Sequence, residues 1–176
     1  KELPIRYSEY GFVHRRELSG GLHGLFRGRA FTQDDAHVFC TPGQLQEEIL
    51  RLIDLCQKTY NKYDFEEVRM VVATRPEKFI GTEELWQKAT DALELALNNK
   101  NINYTIEQGG GAFYGPKIDI QMKNVNGKED TAFTVQYDFC MPDRFDLTYQ
   151  GQDGSAKRAF QAPFEGDAVL YVRREG

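Results

Sequence analysis

The sequence is poor in cysteine and histidine, with three of each in 176 residues, and it has one tryptophan. Cys40, Cys56 and Cys140 are far apart and odd in number. That argues against a disulfide framework and against a CxxC metal site, and it fits a reducing, cytoplasmic setting. No apolar run approaches the length of a membrane span. The opening residues, KELPIRYSEYGF, are charged and mixed, unlike a signal peptide. They carry no initiator Met, so the chain reads as a piece of a larger protein. No GxGxxG or GxxxxGK[ST] opens a helix, so a parallel nucleotide-binding sheet is not expected. No internal repeat or low-complexity segment divides the chain, and residues 1–176 read as a single domain. The formal charge is −5. The chain as a whole therefore does not advertise a polyanion partner, and local basic clusters have to be sought instead.

What is present is ordinary for a globular domain: 40% hydrophobic and 28% charged residues. EYGFVHRREL (9–18) and LHGLFRGRAF (22–31) are strand-like runs around Ser-Gly-Gly, which predicts a β-hairpin with a flexible tip. Residues 42–63 predict a helix. Thr41 can cap it, Pro42 sits in its first turn, and Leu45, Ile49, Leu52, Ile53, Cys56 and Tyr60 form one stripe. VRMVVAT (68–74) predicts a buried strand. Residues 82–99 predict a second helix, with Thr82 as cap and Leu85, Ala89, Ala92, Leu93 and Ala96 on one face. INYTIEQ reads as a short strand and GGG (109–111) as a mobile loop. KIDIQMKNV, TAFTVQYDF and RFDLTYQG read as three antiparallel strands, and VRREG as a surface end. Strands, helix, strand, helix and more strands predict an α+β fold with a largely antiparallel sheet flanked by helices.

FTQDDAHVFC (31–40) is unusual for a strand. Period-two alternation puts Phe31, Gln33, Asp35, His37 and Phe39 on one face, a polar row between aromatic rings. Arg15 and Glu17 share a face of the first arm. If the return arm runs unbroken, Arg27 and Arg29 join Phe31 on its polar face. Guanidinium forks suit phosphate oxygens and a ring suits stacking on a base. A carboxylate can accept from an exocyclic amine, and His37 can ligate a metal. The bland alternative is a solvated face with ion pairs; the concentration of such groups in one register favours a site. His14 alternates to the opposite face and reads as structural. His23 lies near the hairpin tip, where the end of a bound partner or only solvent would meet it. Trp86 reads as core.

HRRELSGGLHGLFRGRAFTQDDAHVF (14–39) resembles the second signature motif of class II aminoacyl-tRNA synthetases, in the form HRNExSGxLxGLxRVRxFTQDDAHIF found in threonyl-tRNA synthetases. TRPEKFIGTEELWQKATDAL, GAFYGPKIDI and TVQYDFCMPDRFDLTY are similar to later blocks of the same family, in the same order. The resemblance covers about residues 1–157; 158–176 diverge. It implies the class II catalytic-domain fold, here incomplete, and threonine activation with ATP followed by transfer to tRNA(Thr), with Mg²⁺ assisting. It also implies a homodimer for the full-length protein. Residue by residue, it assigns Arg15 to the α-phosphate of ATP and the amino-acid carboxylate, Glu17 to the adenine amine and Arg27 to the γ-phosphate. Phe31 stacks on adenine, and Gln33 and Asp35 lie against threonine. His37 is one of three protein ligands of a zinc ion, and Tyr114 lies by the substrate amine. Lys117 and Gln136 fall on family positions near the substrate. In the family, zinc binds the amino and hydroxyl groups of threonine, which excludes valine.

Three departures accompany the resemblance. The family's first motif and zinc cysteine lie upstream of this sequence, and none of the three cysteines takes that place. Thr131 stands where the family's WQCGTVQ has a functional Gln. The family's later IHRAxxGSxERF supplies a zinc His and an ATP-binding Arg, whereas this chain reads KRAFQAPFEGDAVLYVRREG. That stretch has no His, and neither Arg173 nor Arg174 is assigned to the missing Arg. The alternative reading is a truncated or non-catalytic paralogue that binds a nucleotide, an amino acid or a protein partner.

Overall fold

The structure, a computed structural model, describes residues 3–24, 27–65, 67–151, 154–158 and 168–174. In chain order the elements are β1 (Ile5–His14), β2 (Ala30–Cys40), α1 (Pro42–Lys62), β3 (Val68–Ala73), α2 (Glu83–Asn99), β4 (Tyr104–Glu107), β5 (Lys117–Lys123), β6 (Glu129–Asp138), α3 (Met141–Arg144), β7 (Thr148–Gln150), β8 (Ala156–Arg158) and β9 (Ala168–Arg174). Seven strands form one sheet in the order β1-β2-β9-β6-β5-β3-β4. Every neighbouring pair is antiparallel except β3 and β4, which run parallel. α2 supplies the crossover that a parallel pair requires.

The two long helices follow the caps and stripes of the sequence. Gln44 Oε1 accepts from the Thr41 N–H at 3.0 Å, and Thr82 Oγ1 accepts from the Leu85 N–H at 3.3 Å. Ile49, Ile53 and Cys56 of α1 and Ala89, Leu93 and Ala96 of α2 are buried against one face of the sheet, on Val38, Cys40, Met70, Val72, Ile118, Ile120 and Val135. Trp86 is buried among them, its Nε1–H donating to the Ile80 carbonyl at 2.8 Å. The helices thus cover one side of the sheet and leave the other open.

Glu48 interrupts the apolar stripe of α1. It is 2% exposed, and its carboxylate takes Arg6 Nε at 2.7 Å together with a second guanidinium nitrogen. The fork ties edge strand β1 to α1. Arg6→Ala would leave a buried carboxylate without its counter-ion, so it should destabilise by roughly 2 kcal/mol. Glu48→Gln should cost less, because the half-exposed Arg6 rehydrates. Urea denaturation of the two variants measures the order.

Three expectations change. The hairpin arms do not run unbroken: regular pairing stops at His14 and Ala30, and the segment between them carries a 3₁₀ turn at Ser19–Gly21. RFDLTYQG does not join the main sheet; among the described residues its strand β7 pairs with β8 in a separate two-stranded sheet. The cause is at Asp138, whose Oδ1 accepts from the N–H groups of Cys140 and Met141 at 2.8 and 2.9 Å. Those bonds start α3, and Asp146 then takes a φ of 48°. The chain therefore leaves the sheet before β7. Of GGG, Gly111 is tied to the end of β3: its N–H donates to the Thr74 carbonyl at 2.7 Å, and an added Cβ there would lie 2.5 Å from that oxygen. VRREG is not wholly a surface end, because residues 168–174 insert between β2 and β6. FQAPFEG lies outside the described residues.

Candidate functional site

The open face is polar because alternation on β2, β5 and β6 sends most apolar side chains toward the helices. Its rows are set by register. His37 of β2 pairs with Tyr171 of β9, which pairs with Gln136 of β6, which pairs with Lys117 of β5. One row along, Asp35 pairs with Arg173, which pairs with Thr134, which pairs with Asp119. Residues opposite each other in a ladder point to the same side, so segments a hundred residues apart in sequence meet on one surface. Three strand spacings, roughly 14 Å, separate the backbones of His37 and Lys117.

Gln33 is 5% exposed, and Asp35 and His37 are half-buried. Val38 and Cys40, on the opposite face, lie in the core. Burial pushes the Asp35 carboxyl above its usual range; the charge of His37 acts in the opposite sense. Tyr114 closes over these strands from the loop before β5. Its hydroxyl donates to Gln136 Oε1 at 3.0 Å. Burial pushes its phenol up, and the charges of Asp138 and Asp35 add to the shift. Tyr114 is therefore bonded to β6 and lies near enough to β2 for the Asp35 charge to act on it. Lys117 Nζ donates to Asp119 Oδ2 at 2.8 Å.

The arms of the β1–β2 hairpin carry the other half of the constellation. The Arg15 guanidinium carbon lies 5.0 Å from the Phe31 ring centroid. Arg27 Nε donates to Glu17 Oε2 at 3.1 Å. Arg29 turns back on the arm itself, donating to the Glu17 carbonyl and to Ser19 Oγ, each at 3.1 Å. Arg15, Glu17, Arg27 and Phe31 are thus held at one end of the polar face even though the strands are interrupted there. His14 stands on the opposite side against Phe12, their rings 4.8 Å apart edge to face.

Two residues were passed over in the sequence: Asp119 and Thr134. Thr134 Oγ1 donates to Asp119 Oδ1 at 2.8 Å, and both are buried. Alternation in KIDI places Asp119 on the face of Lys117, and alternation in TVQ places Thr134 on that of Gln136. The signal was present at the same period that revealed Gln33 and Asp35.

The zinc ion that the resemblance implies needs three protein ligands. Among the described residues, no three His, Cys, Asp or Glu side chains are grouped to hold a metal ion. His37 has Asp35 beside it on the face. The remaining soft donors are elsewhere: Cys40 is wholly buried on the opposite face, and burial pushes the thiols of Cys56 and Cys140 up to about 12. The donors described do not fit a catalytic zinc. A groove of about 330 Å³ lies at the far side of the sheet, lined by Glu67, Arg69, Gln121, Lys123 and Glu129. Its charges pair with one another, Arg69 with Glu129 and Lys123 with Glu67, and it is not part of this constellation.

Residues 1–162 match the family described as tRNA synthetase class II core domain (G, H, P, S and T), and the chain belongs to that family. Within it, the similarity runs to threonine–tRNA ligases. The chain is 52% identical over 158 residues to that of Desulfovibrio desulfuricans and 49% identical over 158 residues to that of Magnetococcus marinus. Each match covers 90% of this chain and 24% of the relative, so the chain spans about a quarter of their length. Among solved structures, the RNA binding domain of threonyl-tRNA synthetase from Cryptosporidium parvum superposes with a TM-score of 0.88 at 38% identity, over 99% of this chain and 42% of that one. Apo histidyl-tRNA synthetase of S. aureus, at 12% identity and a TM-score of 0.60, shares the fold alone. Among the described residues, no helix is long and apolar enough to cross a membrane.

Proposed function

We propose that this chain is the adenylating core of a threonine–tRNA ligase. It activates threonine with ATP to threonyl-adenylate, releases pyrophosphate, and passes the threonyl group to tRNA(Thr). The observation that carries this reading is the polar row across the open sheet face, which sets Gln33, Asp35 and His37 of β2 on one side with Gln136 of β6 and Lys117 of β5, Tyr114 being bonded to Gln136. Arg15 holds the α-phosphate and the amino-acid carboxylate, and it is the catalytic residue. Glu17 accepts from the adenine amine, Arg27 grips the γ-phosphate and Phe31 stacks on the base. Gln33 and Asp35 bind the threonine hydroxyl and amine, with Tyr114, Lys117 and Gln136 around them. Mg²⁺ assists at the phosphates. The rate comes from alignment of carboxylate and phosphate and from fixed charge opposite the developing one. The partners are threonine, ATP and tRNA(Thr), in a cytoplasmic homodimer of the full-length protein.

The test is ATP–pyrophosphate exchange by the full-length gene product with threonine, serine and valine. Threonine should support exchange. Valine should be slower by about 10⁴-fold or more, because a face built to bind a hydroxyl is left with buried polar groups against a methyl. Exchange independent of the amino acid, or equal for valine, refutes the reading.

A second reading rests on the divergence of the chain from the family's pattern beyond the matched residues 1–162. It is a non-catalytic paralogue that binds a nucleotide, an amino acid or a protein partner. Binding of threonine or ATP without exchange would select it.

A further inference from the structure

Strand β5 carries a buried carboxylate to which the reading above gives no role. Asp119 is 3% exposed and lies on the open face with Lys117. One oxygen accepts from Thr134 Oγ1 and the other from Lys117 Nζ, each at 2.8 Å. Thr134 is the register partner of Asp119 on β6, and Gln136 is that of Lys117. All four groups are therefore fixed by one ladder and not by a loop.

A buried ion pair is weak evidence for stability, since desolvating both charges offsets much of their attraction. The sheet would be served as well here by an apolar pair. What the pair does achieve is order. A lysine side chain has four flexible bonds and a compact charge, and it samples many positions when left alone. Asp119 takes one of the three ammonium donors and leaves two for the face above β5 and β6. The amide of Gln136, opposite Lys117, holds the Tyr114 hydroxyl beside them.

We propose that Asp119, braced by Thr134, is a positioning residue that holds the Lys117 ammonium toward an anionic oxygen of the ligand on this face. The inference rests on the adenylating reading for its substrate, and the anionic oxygen is a carboxylate of the amino acid or a phosphate of the nucleotide.

The test compares Lys117→Ala, Asp119→Asn, Asp119→Glu and the double variant K117A/D119N in the full-length gene product by ATP–pyrophosphate exchange. Lys117→Ala and Asp119→Asn should each slow exchange by about 10- to 100-fold. The double variant should be no slower than Lys117→Ala alone, because the two act as a unit. Asp119→Glu should recover much of the loss. A rise in KM confined to threonine identifies the carboxylate, and one confined to ATP identifies a phosphate. Wild-type exchange in Asp119→Asn, or losses that multiply in the double variant, overturns the proposal. If the wild type shows no exchange, the adenylating reading falls and binding decides the proposal. Calorimetric titration with threonine and with ATP must then show equal weakening in Lys117→Ala and Asp119→Asn. Unchanged affinity, or no binding of either probe by the wild type, overturns it.

Discussion

Replacing Arg15 with Ala should lower threonine-dependent exchange by about 10²- to 10³-fold, roughly 3 kcal/mol or more in the barrier. The side chain is exposed, and its resolved contact is with the Phe31 ring at 5.0 Å. An exposed cation–π contact is worth only about 0.5–1 kcal/mol. Stability should therefore fall by no more than about 1 kcal/mol, so the loss of rate is a loss of charge and not of fold. Arg15→Lys should recover little, because a single ammonium does not reproduce a planar fork on two oxygens. Steady-state exchange kinetics together with a thermal melt of the same variants check both halves. Wild-type exchange in Arg15→Ala would remove this residue from the reaction.

Replacing Gly115 with Ala should destabilise the chain by about 4 kcal/mol or more, the range reserved for sites where backbone cannot yield. A Cβ at this position would stand 1.7 Å from the Tyr137 carbonyl oxygen and 2.9 Å from its carbon. Neither strand is free to retreat. The Tyr137 N–H donates to the Pro116 carbonyl at 3.1 Å, and the Gly115 N–H donates to Ala112 at 3.3 Å. Relief of the clash would separate β5 from β6 where Lys117 faces Gln136, and it would carry Tyr114 away from its hydrogen bond. Gly20 is the control: nothing lies within 4 Å of a Cβ there, and Gly20→Ala should be near neutral. Chemical denaturation of the two variants reads the difference. Equal midpoints would show that β5 and β6 can part at little cost.

The helices were legible because their signals are local. The caps Thr41 and Thr82 and the apolar stripes place α1 at 42–62 and α2 at 83–99, within a residue of the expected bounds. The polar face of β2 was legible for the same reason, since a period of two needs no knowledge of neighbours. Glu48 was not, because nothing in α1 says that Arg6, forty-two residues earlier, will meet it. The fate of β7 was not, because Asp138 turns the chain through its own side chain in a way that strand propensity does not encode.

By itself the sequence determined the α+β class, both long helices and the two faces of β2. The tertiary structure alone decided which of those strands are neighbours. β9 separates β2 from β6, and only that placement sets His37 in one row with Gln136 and Lys117. The reason is physical. Alternation along a strand follows from local backbone geometry, whereas the order of strands depends on which exposed N–H and C=O groups find each other after the chain has collapsed around the helices.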